Sequence, residues 1–211
     1  MTRAEQIPAG FSPAGHIART LALAALVLTA AIYVAWPAPA AAWLLVPGFW
    51  VFANFFEWTV HRFPMHRALV PRIMFRNHAG VHHGAFGEHS MAIGEARELS
   101  LIMMPWYTIV MLLVGASPVA IVAALVGGLP LAGIFYVAAL SYFLFYETLH
   151  ALYHLPTETL MRWGIGRPGS LFARLRAHHA RHHDPRRMAH ENFNVTVPLA
   201  DTVFRTRARK G

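Results

Sequence analysis

Two long apolar blocks alternate with two polar blocks along the chain. No Asp, Glu, Lys, Arg or His occurs between Arg19 and Glu57, and none between Glu98 and Glu147. Each gap is longer than the ~20 residues that carry a helix across a bilayer, so each has room for two crossings. A soluble helix keeps a polar face on the side away from its core. Segments such as LALAALVLTAAIYVAW and LAGIFYVAALSYFLFY have none. The pattern predicts an all-α integral membrane protein of about four transmembrane helices, arranged as two hairpins.

The blocks give the organisation of a single membrane domain over residues 1–211. Residues 1–16 read as a flexible lead-in. The first hairpin covers 17–56, with one span from about Ile17 to Trp36, a reversal at Pro37-Ala38-Pro39 and a second span from about Ala40 to Phe56. Two prolines there stop a helix. A first histidine region occupies 57–98. The second hairpin, 99–146, turns either at Gly115–Pro118 or at Gly127–Pro130, and both breaks give two crossings. A second histidine region and tail fill 147–211. No small-residue cleavage site closes the first apolar run, so it is expected to stay as a span.

Charge adds sidedness. Arg3 and Arg19 stand at the start of the first span, five arginines lie in the first histidine region, and eleven basic residues follow Glu147. These are all 18 Lys and Arg residues, and neither hairpin turn contains one. The positive-inside rule then places both termini and both polar regions on the cytoplasmic side. The formal charge of +8 reads as attraction to anionic headgroups, about 1 kcal/mol per basic residue near the surface. Because the basic residues adjoin spans, no nucleic-acid partner is expected. The absence of cysteine excludes disulfides, thiolate metal sites and thiol catalysis.

The candidate chemistry lies in the histidines. Thirteen of the 14 fall in the two polar regions, His16 being the exception. EWTVHRFPMH carries His61 and His66, NHAGVHH carries His78, His82 and His83, YETLHALYH carries His150 and His154, and AHHARHH carries His178, His179, His182 and His183. Residues three and four apart share a helical face. His78 with His82, His150 with His154, and His179 with His182 and His183 are therefore expected to point together. His61 and His66 do not share an ideal face, and Pro64 is expected to end or bend the helix between them. Imidazole suits iron, copper, zinc and nickel, and some ten ligands are too many for one ion, which implies two.

The order of these clusters resembles the fatty acid hydroxylase and sterol desaturase superfamily of membrane di-iron oxidases. The likeness is strongest to fatty acid 2-hydroxylases, through EWTVHRFPMH, YETLHALYH and HHARHH followed by NFNVTVPLADTVFRT, and covers about Glu57 to Thr206. It implies a cytoplasmic helical cap holding a dimetal site with ligands His61, His66, His78, His82, His83, His150, His154, His179, His182 and His183. His178 falls outside the family spacing, though a one-residue shift would let it replace His179. His89 and His190 match no ligand position. The implied cofactors are two iron ions, with zinc able to occupy the same imidazoles in overexpressed protein, and dioxygen as co-substrate. Many eukaryotic 2-hydroxylases carry a cytochrome b5 domain, and nothing before His16 forms one. A separate electron donor of cytochrome b5, ferredoxin or reductase type is therefore expected.

Neutral imidazoles leave such a centre strongly cationic, so carboxylates and amide carbonyls should orient the rings and offset charge. Glu57, four residues before His61, and Glu147, three before His150, are candidates, with Asp184 and Asn194. Trp58, Trp106, Tyr107 and Tyr153 are expected to be interfacial anchors. The activity implied is hydroxylation of a membrane lipid, an acyl chain near its headgroup end. A desaturase and a sterol or carotenoid hydroxylase are alternatives on the same chemistry. A divalent-metal transporter or sensor is more remote, because a transporter needs ionisable residues within its spans.

Overall fold

A computed structural model describes residues 2–69 and 71–208. Arg209 and Lys210, counted among the basic residues above, and Gly211, the end of the predicted tail, lie outside the described residues. The described chain is helical, without strands: α1 (Arg3–Gln6), α2 (Pro13–Ala35), α3 (Leu45–Val60), α4 (Arg72–Phe75), α5 (His83–Ala85), α6 (Thr108–Tyr153), α7 (Thr157–Arg162), α8 (Leu171–His182) and α9 (Leu199–Val203). It divides into two compact units, one of residues 12–53 and 104–145, the other of residues up to 11, 54–103 and from 146. Three stretches are long and apolar enough to cross a membrane: Pro13–Ala35, Ala40–Met65 and Thr108–Tyr153.

In the apolar unit, α2 begins with Ser12 accepting a hydrogen bond from the Gly15 N–H and with Pro13 in the first turn. There a proline's missing N–H costs nothing. The inward face of α2 is small, and backbones come close. A methyl added at Gly133 would meet Ala35 N at 2.7 Å and Ala31 O at 2.8 Å. Ala24 packs with Ile109, Leu140 and Phe143, while Leu26, Val114, Leu125 and Val126 are exposed, as a lipid-facing surface requires.

Of the two breaks the sequence offered in the second apolar block, the chain uses the later. Gly127 and Gly128 leave helical geometry, and Gly128 has φ +76°, a conformation that costs glycine nothing. The two halves of α6 fold back on each other. Ala120 and Ala123 pack with Ala132 and Phe135, and the Tyr136 hydroxyl donates to the Leu113 carbonyl at 3.3 Å. Pro118 stays within helix because its lost bond is replaced. A proline there cannot donate to Val114, and the neighbouring Ser117 hydroxyl does so instead, at 2.7 Å.

The expected flexible lead-in is corrected. Thr2 caps α1 through a capping box, and residues 13–16 form the first turn of α2. The Arg3 guanidinium reaches the Ala85, Ser90 and Ala92 carbonyls at 2.7, 2.6 and 2.9 Å and Glu98 at 3.0 Å, and stands over the Phe86 ring. One arginine has five donors in a fixed fork, enough to hold a segment with no apolar pattern of its own. Two of the four expected interfacial anchors are also corrected. Trp106 and Tyr107 are exposed, but Trp58 and Tyr153 are buried, Trp58 by donating to the Thr206 hydroxyl at 2.9 Å and Tyr153 by packing on Phe172.

Candidate metal centre

α3 does not stop at Val60. It widens into a π-helical turn over His61–Met65, with Pro64 inside it, and a second π-helical stretch spans Arg76–His82. A π-turn aligns residues five apart rather than four, and such turns recur at functional sites. The His61 and His66 rings accordingly stack with centroids 5.1 Å apart, and His83 Nε2 lies 3.2 Å from His78 Nε2. The remaining histidines come from the end of α6, from α8 and from the residue after it.

The ten histidines form two groups of five. His61, His66, His78, His83 and His182 make the first; His82, His150, His154, His179 and His183 make the second, with the ligating atoms of each group within 4.8 Å of one another. Two of the pairings read from helical spacing are corrected. His78 and His82 belong to different groups, as do His179 and His182. The π-turn pairs His78 with His83 instead. The neighbours His82-His83 and His182-His183 diverge by the helical rotation, so each doublet serves both groups.

Within each group the Nε2 atoms face one another. In the first, His61–His78 and His66–His182 are 2.8 and 2.9 Å apart. In the second, His82–His150, His154–His179 and His179–His183 are 3.2, 3.4 and 3.1 Å apart. The opposite nitrogens are turned outward to backbone carbonyls. His61 Nδ1 donates to Phe193 O and His182 Nδ1 to Glu191 O; His82, His154 and His183 donate to Leu101 O, Met91 O and Phe86 O. An Nδ1–H held this way fixes the neutral tautomer and leaves the Nε2 lone pair facing inward. His83, His150 and His179 lack such a partner at Nδ1; the His179 ring instead packs against Tyr153 at 5.6 Å.

Converging lone pairs with no proton between them repel, so the arrangement suits a cation at the centre of each group. Nitrogens bound at about 2.1 Å and at right angles to one another would stand about 3 Å apart, the spacing found. Burial, with repulsion from neighbouring imidazoles, keeps the rings neutral. It lowers His66 to about 2, and holds His78, His83, His179 and His183 well below their ordinary value. Burial also lowers His82 and His182 to about 4, against the upward pull of their carbonyls.

The candidate orienting residues have different fates. Glu57 accepts from the Val195 and Thr196 N–H groups and from the Thr196 hydroxyl, at 2.6 Å for the hydroxyl. It therefore holds the segment that follows Phe193. Asn194 bridges the Asn54 carbonyl and the Asp201 N–H at 3.0 Å each. Glu147 is buried one turn before His150. The Asp184 carboxylate is taken by Arg186 and Arg187, in the turn after α8. His178 lies outside both groups and meets Asp201 at 3.1 Å, so the one-residue shift that would let it replace His179 does not occur. His89 and His190 are exposed and belong to neither group.

Sequence reading missed Asp201, which is fully buried and accepts from the Phe193 and Asn194 N–H groups and the Thr206 hydroxyl at 3.0, 2.8 and 2.6 Å. It also missed Asn54, whose side chain binds the Thr196 hydroxyl, the Val197 carbonyl and the Ala200 N–H. Both left a signal. Asn54 is an isolated amide in an apolar run, and such residues need internal partners; Asp201 sits in the quoted NFNVTVPLADTVFRT segment.

A helical chain with long apolar segments and two largely buried sets of five inward-facing imidazoles defines a class of membrane protein whose clusters could each hold a metal ion. The family model described as Fatty acid hydroxylase matches residues 46–206. The chain belongs to this family, within the fatty acid hydroxylase and sterol desaturase superfamily, and is thereby a membrane oxidoreductase of the hydroxylase and desaturase type. Neither the curated proteins nor the solved structures contain a match to it.

Proposed function

We propose that the protein is a dioxygen-dependent di-iron oxygenase that hydroxylates a membrane lipid, an acyl chain near its headgroup end. The observation that carries this reading is the convergence of ten neutral imidazoles, nine of them buried and His83 half-buried, into two five-nitrogen groups. The ten histidines are the iron ligands, five to each ion. The chemistry that a bound iron pair supplies is reductive activation of dioxygen, one oxygen atom going to the lipid and the other to water.

The residues around it do the rest. The Phe193, Glu191, Leu101, Met91 and Phe86 carbonyls each hold one ring nitrogen and so aim the other at the ion. Burial of His61, His154, His179, His182 and His183 keeps water from the ligand atoms. In this reading α6, folded at Gly128, gives the apolar segments four crossings, with the termini and the histidines on the cytoplasmic side, as the positive-inside rule favours. Two electrons per turnover come from a separate donor protein of the cytochrome b5, ferredoxin or reductase class, since imidazoles do not supply them.

The test is lipid mass spectrometry of cells with and without the protein, grown under ordinary oxygen or oxygen-18. A lipid that gains one labelled oxygen atom is the expected result and names the substrate. Loss of two hydrogens without label would make the protein a desaturase. An unchanged lipid profile in cells supplied with iron and donor would overturn the oxygenase reading.

A further inference from the structure

The carbonyls that aim His61 and His182 are two residues apart, Glu191 and Phe193, on one short strap. Between them Asn192 adopts φ +59°, a left-handed conformation that asparagine tolerates better than most residues. Its side chain ties the strap at both sides, donating to the His178 carbonyl at 2.9 Å and accepting from the Ala208 N–H at 2.8 Å. Two buried carboxylates take the strap's amides in sequence: Asp201 those of Phe193 and Asn194, Glu57 those of Val195 and Thr196. None of these four hydrogen bonds runs to a ligand ring. Asp201 accepts the Asn194 N–H, which belongs to the same peptide unit as the Phe193 carbonyl on His61. Glu57 holds the next two amides and so fixes the strap just beyond that peptide.

The carbonyls that aim His82, His154 and His183 come from a different stretch, residues 86–101. There the clamp is the Arg3 guanidinium on the Ala85, Ser90 and Ala92 carbonyls and on Glu98. The strap of residues 191–196 thus serves the first group alone. We infer that Glu57 and Asp201 are positioning residues for the first metal position and not for the second. This rests on the metal-binding reading above. Asp201 also polarises the Phe193–Asn194 peptide, which makes the Phe193 carbonyl a better acceptor and His61 a more basic ligand, while Glu57 acts by fixing the strap in place. The two positions are then tuned separately, each through its own loop.

The full-length protein, purified and stripped of metal with a chelator, would be titrated with cobalt(II) and followed by the ion's visible absorption. His154→Ala isolates the first group and His66→Ala the second. Glu57→Gln and Asp201→Asn each keep the shape of the side chain and remove its charge. In the His154→Ala background, either is expected to weaken cobalt binding about 10–100-fold, the usual consequence of losing an outer partner of a ligand. In the His66→Ala background, binding should stay unchanged, which also shows that the protein has folded. Equal losses in both backgrounds, or none in either, would overturn the inference. If Asp201→Asn does not fold, Glu57→Gln carries the same test. Failure of the unsubstituted protein to bind cobalt would instead overturn the metal reading itself.

Discussion

The two histidine groups present the same donor atom and differ in what stands behind it. In the first, π-helical turns bring residues five apart together, and a late strap held by Glu57 and Asp201 aims two of the rings. In the second, His150 and His154 sit one turn apart at the end of α6, as do His179 and His183 on and just after α8, and the aiming carbonyls come from residues 86–101. The lesson is that ligand count does not describe such a centre. Two sets of five imidazoles can be equal in chemistry and unequal in support, because a ring is oriented by whichever backbone reaches its far nitrogen.

The largest expected effect comes from deleting a ligand. His66→Ala and His154→Ala should each bring turnover below detection while leaving one bound ion per chain, read by lipid analysis and by elemental analysis of the purified protein. If either substitution releases both ions, the groups are one cooperative site and the comparison fails.

Acid should act on both groups alike. His182 of the first and His82 of the second are lowered by burial to about 4, whereas an unfolded histidine titrates near 6.5. Between these values the unfolded chain binds more protons, so stability is complete above about pH 6.5 and falls as the pH drops toward 4. Thermal unfolding of metal-free protein in detergent should show this as a falling Tm over that window. A Tm that rises toward pH 4 would contradict neutral, buried rings.

A smaller effect separates the groups from the other side. Arg3→Ala removes the clamp on residues 85–98 and should weaken metal at the second group about tenfold, leaving the first as it was. The lost hydrogen bonds outweigh the removed charge, which is partly exposed and screened. Cobalt titration in the two single-group backgrounds checks it, and an equal change at both groups would show that the loops are not independent. Asp184→Asn should do least. That carboxylate faces Arg186 and Arg187, and cobalt affinity at either group should stay within about twofold, the scale of a surface ion pair.

Much of this was legible in the chain. The apolar blocks without charge announced the long helices, and ten of the 14 histidines were singled out by spacing and resemblance. All ten meet in the two groups. The grouping was not legible, because spacing was read with a period of 3.6 and the π-turns at 61–65 and 76–82 change it locally. The proline in HRFPMH hinted at a change of period near His61; nothing comparable marks NHAGVHH.

What the sequence determined by itself are the properties that depend on composition over short range: apolar length, the place of the charges, the absence of thiols, and imidazoles repeated at three to five residues. What only the tertiary structure decided depends on partners far apart in the chain. Phe193 reaches His61 across 132 positions and Phe86 reaches His183 across 97. Glu57 binds residues 195 and 196, and Arg3 binds residues 85–98. Local periodicity carries no information about which distant carbonyl will meet a ring nitrogen, since that is fixed by packing once buried polar groups must all find partners. The same holds for the turn of α6, where two glycine-proline breaks were equivalent on paper. Ser117 supplying the bond that Pro118 lacks, and Gly128 taking a positive φ, decided between them.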